Sequence, residues 1–217
     1  MHEKNALTFW KFWWNGYLTG QHYLAPEVLQ HMTRQLRQSP YLQQNVLNQR
    51  FSTTEGFSLL LKSPQHLPAN FDYVKPFFEA FDTAPFNYFY MNVLQLNQSA
   101  HVDRHVDHSI RGYDPDLPLP GEVLLVYLQA EGLKGGDLLL YRGDRLQQRI
   151  VPKTGDWVRF KGHKKHAITA LESSVKPRLS LVCELYTLSA AQRALLPNFV
   201  LKSTAGFDTF LQQALPD

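Results

Sequence analysis

Residues 101–108 read His-Val-Asp-Arg-His-Val-Asp-His and contain two overlapping His-x-Asp units, His101/Asp103 and His105/Asp107. On a β-strand, side chains two residues apart point to the same face, so one unit can present an imidazole and a carboxylate to the same metal ion. A second histidine from elsewhere would complete a set of two histidines and one carboxylate, which leaves three coordination positions open and is typical of non-haem Fe(II) sites that react with O2. One such unit alone is weak evidence, because a short His-x-Asp match occurs more often on solvated surfaces than at metals.

The missing histidine has two candidates in the segment 162–166, which reads Gly-His-Lys-Lys-His. His166 is favoured because it opens an alternating, strand-like run, whereas His163 lies in a lysine-rich turn. A different interpretation places His101, His105 and His108 on one helix face as a zinc site. The β-rich flanks and the lack of a His-Glu-x-x-His pattern disfavour that interpretation.

A second feature lies downstream, where Arg178 and Ser180 share one face of an apolar run that has Leu179 and Leu181 on the other. An arginine on a buried strand face needs an anion to neutralise it. A guanidinium fork together with a hydroxyl is well matched to a carboxylate. An internal salt bridge to an aspartate or glutamate is the alternative interpretation.

The middle of the chain is a series of short β-rich runs separated by Gly, Pro and Asp, a texture typical of β-sandwiches and barrels. The predicted strands of this region are 86–96, 122–128, 137–141, 146–151, 156–160, 166–171 and 179–186. Outside it, we predict a strand at 56–62 and helices at 7–18, 26–36, 76–81, 189–195 and 207–215.

These elements predict one domain over residues 1–217, mainly β with flanking helices. Residues 1–85 form a mostly helical support region, 86–187 the catalytic core, and 188–217 C-terminal helices. The helix at 7–18 is rich in aromatic residues at helical spacing. It is expected either to cover the sheet or to form the seam of a homodimer.

Composition excludes several classes of protein. The chain has 217 residues and a formal net charge of +3, without a run of Lys or Arg typical of nucleic-acid binding. It has neither an apolar stretch long enough to span a membrane nor a recognisable secretory signal. The single cysteine, Cys183, excludes an internal disulfide and a cysteine-based zinc finger. We therefore expect a cytoplasmic protein without nucleic-acid or membrane partners.

The order of His-x-Asp, a distant histidine and Arg-x-Ser inside a β-rich region resembles the Fe(II)/2-oxoglutarate-dependent oxygenases, most closely their prolyl-4-hydroxylase-like branch. The resemblance covers about 86–186. Residues 133–138 resemble the family's Gly-Gly-acidic-Leu turn, and 166–168 its distal His-x-Val. Residues 126–128 resemble the strand whose tyrosine joins the arginine in binding the cosubstrate.

The resemblance implies a double-stranded β-helix (jelly roll) core and an oxidoreductase that uses Fe(II), O2 and 2-oxoglutarate as cosubstrate. A C–H bond would be hydroxylated while 2-oxoglutarate is decarboxylated to succinate. The implied metal ligands, which are also the implied catalytic residues, are His105, Asp107 and His166. The implied partners of the distal carboxylate of 2-oxoglutarate are Arg178, Ser180 and Tyr127.

The resemblance also bears on the choice between the two His-x-Asp units. Family members place a branched apolar residue and then a polar residue or proline just before the ligand histidine, which favours His105/Asp107 over His101/Asp103. The chain departs from the pattern near Gln95, where prolyl hydroxylases often carry a tyrosine. The pocket around the metal-proximal end of the cosubstrate is therefore expected to differ, and a prolyl substrate is less secure than the reaction type.

The loop at 110–121 follows the His-x-Asp run directly and, by resemblance, is expected to fold over the substrate, although a plain surface connection is equally compatible. A residue of a protein or peptide is the first expectation for the substrate, with proline as one candidate. A free amino acid or small metabolite is the second. A non-catalytic metal-binding jelly roll is the alternative from a different class.

Overall fold

The computed structural model describes residues 6–44 and 54–203, which form a mainly β architecture with a few helices. The α-helices are α1 (Ala6–Asn15), α2 (Pro26–Gln38), α3 (Lys75–Glu79) and α4 (Ala190–Ala194). The strands are β1 (Tyr17–Gly20), β2 (Gln43–Gln44), β3 (Thr54–Leu61), β4 (Tyr88–Leu96), β5 (Val102–His105), β6 (Glu122–Gln129), β7 (Lys134–Gly135), β8 (Leu138–Arg142), β9 (Arg145–Ile150), β10 (Trp157–Lys161), β11 (His166–Ile168), β12 (Leu171–Ser173), β13 (Arg178–Tyr186) and β14 (Phe199–Ser203). Within the residues that the structure describes, short 3-10 helices lie at Pro64–His66, Ala69–Val74 and Ser109–Gly112.

Within the described ranges the strands form two facing antiparallel sheets. The larger has the order β1-β10-β6-β13-β4-β3-β14, with β2 paired to β3. The smaller has the order β5-β11-β8-β9, and β12 pairs with β7 in a separate two-stranded ribbon. One buried apolar cluster contains residues of both sheets, among them Leu94 and Leu125 from the larger and Val102 and Leu138 from the smaller. The inner faces therefore pack against each other as in a β-sandwich.

On strand β13, successive side chains alternate between the two faces of the larger sheet. Leu179, Leu181, Cys183 and Leu185 belong to the apolar cluster under α2 and α3. The residues between them point to the opposite side, toward the smaller sheet. This is the period-two pattern of a strand whose two faces are both covered. The polar members of the inner face are thereby placed inside the sandwich.

Most predicted elements of the β-rich region are present, with boundaries shifted by a residue or two. The predicted strand at 166–171 is instead two strands, β11 and β12, because the chain turns at Thr169 and Ala170 so that Leu171 pairs with Gly135. The core also recruits strands from outside 86–187: β1, β3 and β14 all join the larger sheet.

The flanking regions differ from the prediction in two places. The N-terminal region contains α1, α2 and α3 as expected, but β1 and β2 as well. The C-terminal region begins with α4 and then continues as β14, whose first three residues are buried, rather than as a further helix. The predicted helix at 207–215 lies outside the described residues. No helix within the described ranges combines the length and the apolar character needed to cross a bilayer.

Helix α1 does not bury its aromatic face. Trp10, Trp13 and Trp14 remain exposed. The expectation that this helix covers the sheet therefore fails for these three side chains, whereas Phe12 lies half-buried beneath the Arg159 guanidinium.

Candidate metal centre

The smaller sheet brings His166 beside two side chains, His105 and Asp107, that lie far away from it in the sequence. His105 is the last residue of β5, and His166 is the first residue of β11, where the two are directly paired across the ladder. Asp107 follows two residues after His105, beyond the end of the strand. One ligand atom from each of the three lies within 4.8 Å of the others. The sheet register therefore builds a cluster of two imidazoles and one carboxylate.

Backbone hydrogen bonds set the orientation of both imidazoles. The Nδ1 atom of His105 lies 2.7 Å from the carbonyl oxygen of Asp103, and that of His166 lies 3.1 Å from the carbonyl of Lys164. A carbonyl only accepts, so each Nδ1 carries a proton, and in the neutral form of each ring the lone pair of Nε2 is then available. Those Nε2 atoms lie 3.3 Å and 3.5 Å from the carboxylate oxygens of Asp107.

Lone pairs facing carboxylate oxygens at this distance repel each other unless a cation lies among them. Neutral imidazoles oriented through Nδ1 to a backbone carbonyl are the usual arrangement of metal-ligating histidines. The Oδ2 atom of Asp107 is buried and has no hydrogen-bond donor. The donor set therefore fits a divalent transition metal, and two histidines with one carboxylate are the combination that suits Fe(II).

The electrostatics agree with that protonation state. Burial by itself would raise the pKa of Asp107, but the nearby His166 and His105 outweigh it, and the pKa lies below its ordinary value. Burial lowers the pKa of His166, against the opposing effect of Asp107. The cluster thus holds an ionised carboxylate beside a neutral imidazole, the forms that bind a metal ion.

The rejected candidates lie elsewhere. His101 and Asp103 are both exposed and contact each other at 3.7 Å. His163 is exposed in the turn before β11. The helical zinc interpretation is wrong, because residues 102–105 form the strand β5, so His101, His105 and His108 do not share a helix face.

Arg178 is the largest side chain that the described residues bury completely. Its Nη1 donates to the carbonyl oxygen of Gly136 at 2.7 Å, and its guanidinium lies 5.0 Å from the ring centre of Tyr127. Its Nε and Nη2 atoms, and the hydroxyl of Tyr127, have no hydrogen-bond partner. No carboxylate of the described ranges lies within salt-bridge distance of this guanidinium, so the internal salt bridge considered from the sequence is not formed.

Buried donors without acceptors cost free energy, and a buried cation without an anion costs more. Two guanidinium N–H groups and one phenol converge here on the inner side of β13 and β6. Ser180 shares that face, and its hydroxyl donates weakly to the carbonyl oxygen of Leu94, at 3.4 Å. The group that matches this donor set is a planar carboxylate.

Gly135 and Gly136 position the guanidinium. Both have positive φ, +81° and +70°. A Cβ on Gly135 would lie 2.1 Å from the carbonyl oxygen of Ala170, so only glycine fits the turn there. The turn directs the Gly136 carbonyl at Arg178, which gives the Gly-Gly segment a role in holding the arginine.

A cavity of about 370 Å³ opens between the sheets beside the three-residue cluster. Its inner wall is apolar, with Leu94, Leu125 and Val182 among its lining residues. Leu94 faces this space, whereas Gln95 points to the opposite side and donates to the Glu55 carboxylate. The departure from the prolyl hydroxylase pattern noted near Gln95 thus corresponds to an apolar wall.

Sequence reasoning missed one buried acid near the cluster. Glu184 is fully buried and accepts hydrogen bonds from the backbone N–H of Ser109, at 3.1 Å, and from the Ser109 and Tyr186 hydroxyls. Burial, with a smaller contribution from Asp107, raises its pKa to about 8. The alternation on β13 carried the signal, because position 184 falls on the same inner face as Arg178 and Ser180.

The loop at 110–121 is anchored to the rest of the protein at several points. Ile110 and Leu117 are buried, and the Nε of Arg111 donates to the Leu117 carbonyl oxygen at 2.7 Å. Its first turn borders the cavity through Gly112, and His108 just before it is exposed at the cavity mouth.

The chain resembles several solved structures over most of its length. A prolyl-4-hydroxylase from Pseudomonas putida superposes with a TM-score of 0.58 and 18% identity, over 84% of this chain and 98% of that one. A Trichoplax adhaerens prolyl hydroxylase, solved with a peptide fragment of the oxygen degradation domain of hypoxia inducible factor, has a TM-score of 0.64 and 14% identity, over 88% and 91%. A 2OG-Fe(II) oxygenase family protein from Burkholderia pseudomallei has a TM-score of 0.57 and 12% identity, over 86% and 92%.

The fold is that of the 2OG-Fe(II) oxygenases. The predicted jelly-roll core with flanking helices is thereby confirmed, and so is the expected likeness to prolyl hydroxylases at the level of the fold. The sequence itself matches no protein-family model and no curated protein. At identities this low the oxygenase fold alone does not establish an activity. The argument for function therefore depends on the residues of the site.

Proposed function

We propose that this chain is an Fe(II)- and 2-oxoglutarate-dependent dioxygenase that hydroxylates a C–H bond. The observation that carries the proposal is the set of buried donors without acceptors on Arg178 and Tyr127, inside the same sandwich as the His-Asp-His cluster. A metal site alone does not need a second, buried carboxylate site. A cosubstrate that must bind both a metal and a cationic pocket accounts for the two together.

In this proposal His105, Asp107 and His166 would hold Fe(II) through two imidazoles and one carboxylate. When bound, iron, 2-oxoglutarate and O2 supply the oxidative decarboxylation to succinate and the hydroxylation chemistry. Arg178 and Tyr127 bind the distal carboxylate of the cosubstrate and so fix its orientation. The Ser180 hydroxyl lies beside them on the same strand face, close enough in the register to add a donor.

The apolar residues of the inner wall exclude water between the two polar ends of the site. Low polarity there strengthens the ionic contacts of the cosubstrate with Arg178. A non-catalytic metal-binding jelly roll is less consistent with this arrangement, because it would bury the arginine and the tyrosine hydroxyl without any gain.

We propose a residue of a protein or peptide as the substrate, with proline as one candidate. Beyond the three ligands, the outer lining of the cavity offers Ser58, Tyr90, Asn92 and Ser109, all uncharged, and the exposed His108. A free amino acid brings an ammonium and a carboxylate, and this wall has no pair of opposite charges to receive them. A backbone amide or neutral side chain suits hydroxyl and amide partners. One neighbour of the same fold was solved with a peptide bound.

An anaerobic Fe(II) titration with and without 2-oxoglutarate tests the reaction class without knowledge of the substrate. We expect a visible charge-transfer band only when both are present. The band should be lost in His105→Ala and kept in His101→Ala, a matched change at the other His-x-Asp unit. A folded wild-type protein that gives no band would leave a metal-binding jelly roll as the better account.

A further inference from the structure

Three of the four tryptophans of this chain lie exposed on one short helix. On α1, the exposed fraction is 62% for Trp10, 56% for Trp13 and 72% for Trp14. Tryptophan is one of the most extensively buried residue types on average, so a cluster of three on the surface calls for a partner. The fourth, Trp157, is half-buried against Tyr23. The proposed oxygenase reaction makes no use of the cluster.

The end of this helix is held rigidly by the sheets. The carbonyl oxygen of Trp13 accepts from the Nζ of Lys161 at 3.2 Å, and that of Trp14 accepts from Arg142 at 3.0 Å. The carbonyl of Asn15 accepts from Gln147 at 3.1 Å. Three side chains therefore satisfy the last carbonyls of α1. The tryptophans therefore lie on a preformed surface, and binding through them loses little conformational entropy.

Cations surround the exposed rings. A groove of about 270 Å³ beside Trp13 and Trp14 is lined by Arg142, Lys161 and two further lysines, 164 and 165, and none of its lining residues is a carboxylate. The ammonium of Lys161 lies 5.9 Å from the ring centre of Trp13. The nearby Asp144 is already paired with Lys165 and with Arg104. The surface is thus aromatic and net positive.

We propose that this aromatic-cationic surface, formed by Trp10, Trp13, Trp14, Arg142 and Lys161, binds the headgroup region of a bilayer that contains anionic phospholipid. Indole rings favour the membrane–water interface, where the ring lies among acyl carbons and the N–H stays near water. Adjacent Lys and Arg side chains gain free energy from anionic headgroups. With ten residues α1 is about 15 Å long, which suits a position in the interface and is too short to span.

Charge and ring geometry disfavour two other partners. A two-fold contact of this surface with a second copy would place like charges opposite each other, because the same patch faces itself. Single-stranded nucleic acid binds to rings spaced along a groove as successive stacking platforms. Here Trp10 and Trp13 pack edge to face, with ring centroids 6.3 Å apart and ring planes at 76°. They therefore form one compact apolar cluster and not two separate stacking platforms.

Vesicle sedimentation of the full chain tests the proposal. We expect the protein to sediment with vesicles of phosphatidylcholine mixed with phosphatidylglycerol, and not with phosphatidylcholine alone, and to be released as salt is raised. Trp13→Ala combined with Trp14→Ala should weaken binding by on the order of tenfold or more. Leu195→Ala, which removes an exposed leucine from another surface, should leave binding unchanged.

A second measurement needs no variant and so does not depend on the folding of α1. Vesicles that contain phosphatidylglycerol should shift the tryptophan emission of the wild-type protein to shorter wavelength. Brominated acyl chains in the same vesicles should quench that emission. The proposal is overturned if the folded protein ignores anionic vesicles or binds both vesicle types equally. It is also overturned if the double variant dissociates a solution dimer, or if an unstructured oligonucleotide binds where vesicles do not.

Discussion

The carboxyl group of Glu184 accepts hydrogen bonds from both the backbone N–H and the hydroxyl of Ser109. Ser109 lies two residues after Asp107, so this contact ties the segment that carries a proposed metal ligand to the central strand β13. The Tyr186 hydroxyl donates to the same carboxyl group. Removing the Glu184 carboxyl group leaves three donors without acceptors.

Glu184→Ala should therefore destabilise the protein by about 3 kcal/mol, because each buried donor that loses its acceptor costs on the order of 1 kcal/mol or more. Glu184→Gln keeps an acceptor oxygen for the Ser109 N–H and should lose less than half as much. Chemical denaturation of the metal-free proteins measures both. Equal losses in the two variants would mean that packing, rather than hydrogen bonding, explains the effect.

The raised pKa of Glu184 predicts a specific pH dependence of stability. Its pKa rises from an ordinary value of 4.5 to about 8 on folding, chiefly by burial. The folded state then holds a proton that the unfolded chain has released, so stability decreases as pH rises from about 5 to about 8. Denaturation of the metal-free wild type and of Glu184→Gln across that range should show a slope that is smaller in the variant. Parallel curves would contradict the assignment of the slope to this carboxyl.

Metal binding should require Asp107 and should not require the neighbouring unit, His101/Asp103. Mn(II), a redox-stable substitute for Fe(II), should stabilise the wild type against unfolding by about 2.7 kcal/mol at a hundredfold excess over its dissociation constant. Asp107→Ala should abolish this shift. Asp103→Ala, with its side chain exposed, should retain it. A shift that survives in Asp107→Ala would place the metal elsewhere.

The Arg178 pocket should control affinity for 2-oxoglutarate. Arg178→Lys keeps the charge but loses the fork of donors, so binding should weaken by about tenfold to hundredfold. Tyr127→Phe removes one donor and should weaken binding by about fivefold. Calorimetric titration of the Mn(II)-loaded proteins measures both constants. Arg145→Ala, at an exposed arginine on β9, is the control and should bind as the wild type does.

The Gly-Gly turn offers a matched pair of substitutions. Gly135→Ala would place a Cβ against the Ala170 carbonyl in addition to requiring positive φ, and should destabilise by about 3 kcal/mol or more. Gly143 has φ of +62° and open space around it. Gly143→Ala should therefore cost only about 1 kcal/mol. Thermal unfolding distinguishes the two, and similar losses would show that backbone conformation alone governs both sites.

Much of the sandwich follows from local patterns in the sequence. The long apolar and aromatic runs of β4, β6 and β13 predict that these strands exist, and short breaks of Gly, Pro and Asp mark the turns. The strands that escaped prediction, β1, β2, β7 and β14, are two to five residues long. Such runs become strands because a neighbouring strand presents unpaired backbone groups, which is a tertiary effect.

The candidate site likewise has features that follow from local sequence and features that depend on tertiary structure. Spacing on a strand is local, so the inner-face position of Arg178 beside Ser180 could be predicted from the sequence. The proximity of His105 to His166 depends on the register between β5 and β11, and the pattern of neither strand specifies that register. The inner-face position of Glu184 was equally local, but its role depends on a partner, Ser109, that lies 75 positions away in the sequence.

The imidazoles of the two proposed ligands, His105 and His166, are each oriented by the carbonyl group two residues earlier in the chain, at Asp103 and at Lys164. A carbonyl is present whatever side chain the position carries. The orientation of the two imidazoles therefore does not depend on the side chains at these two positions, and the exposed Asp103 can change charge or size without disturbing it. Such a site can persist in chains that share few other residues.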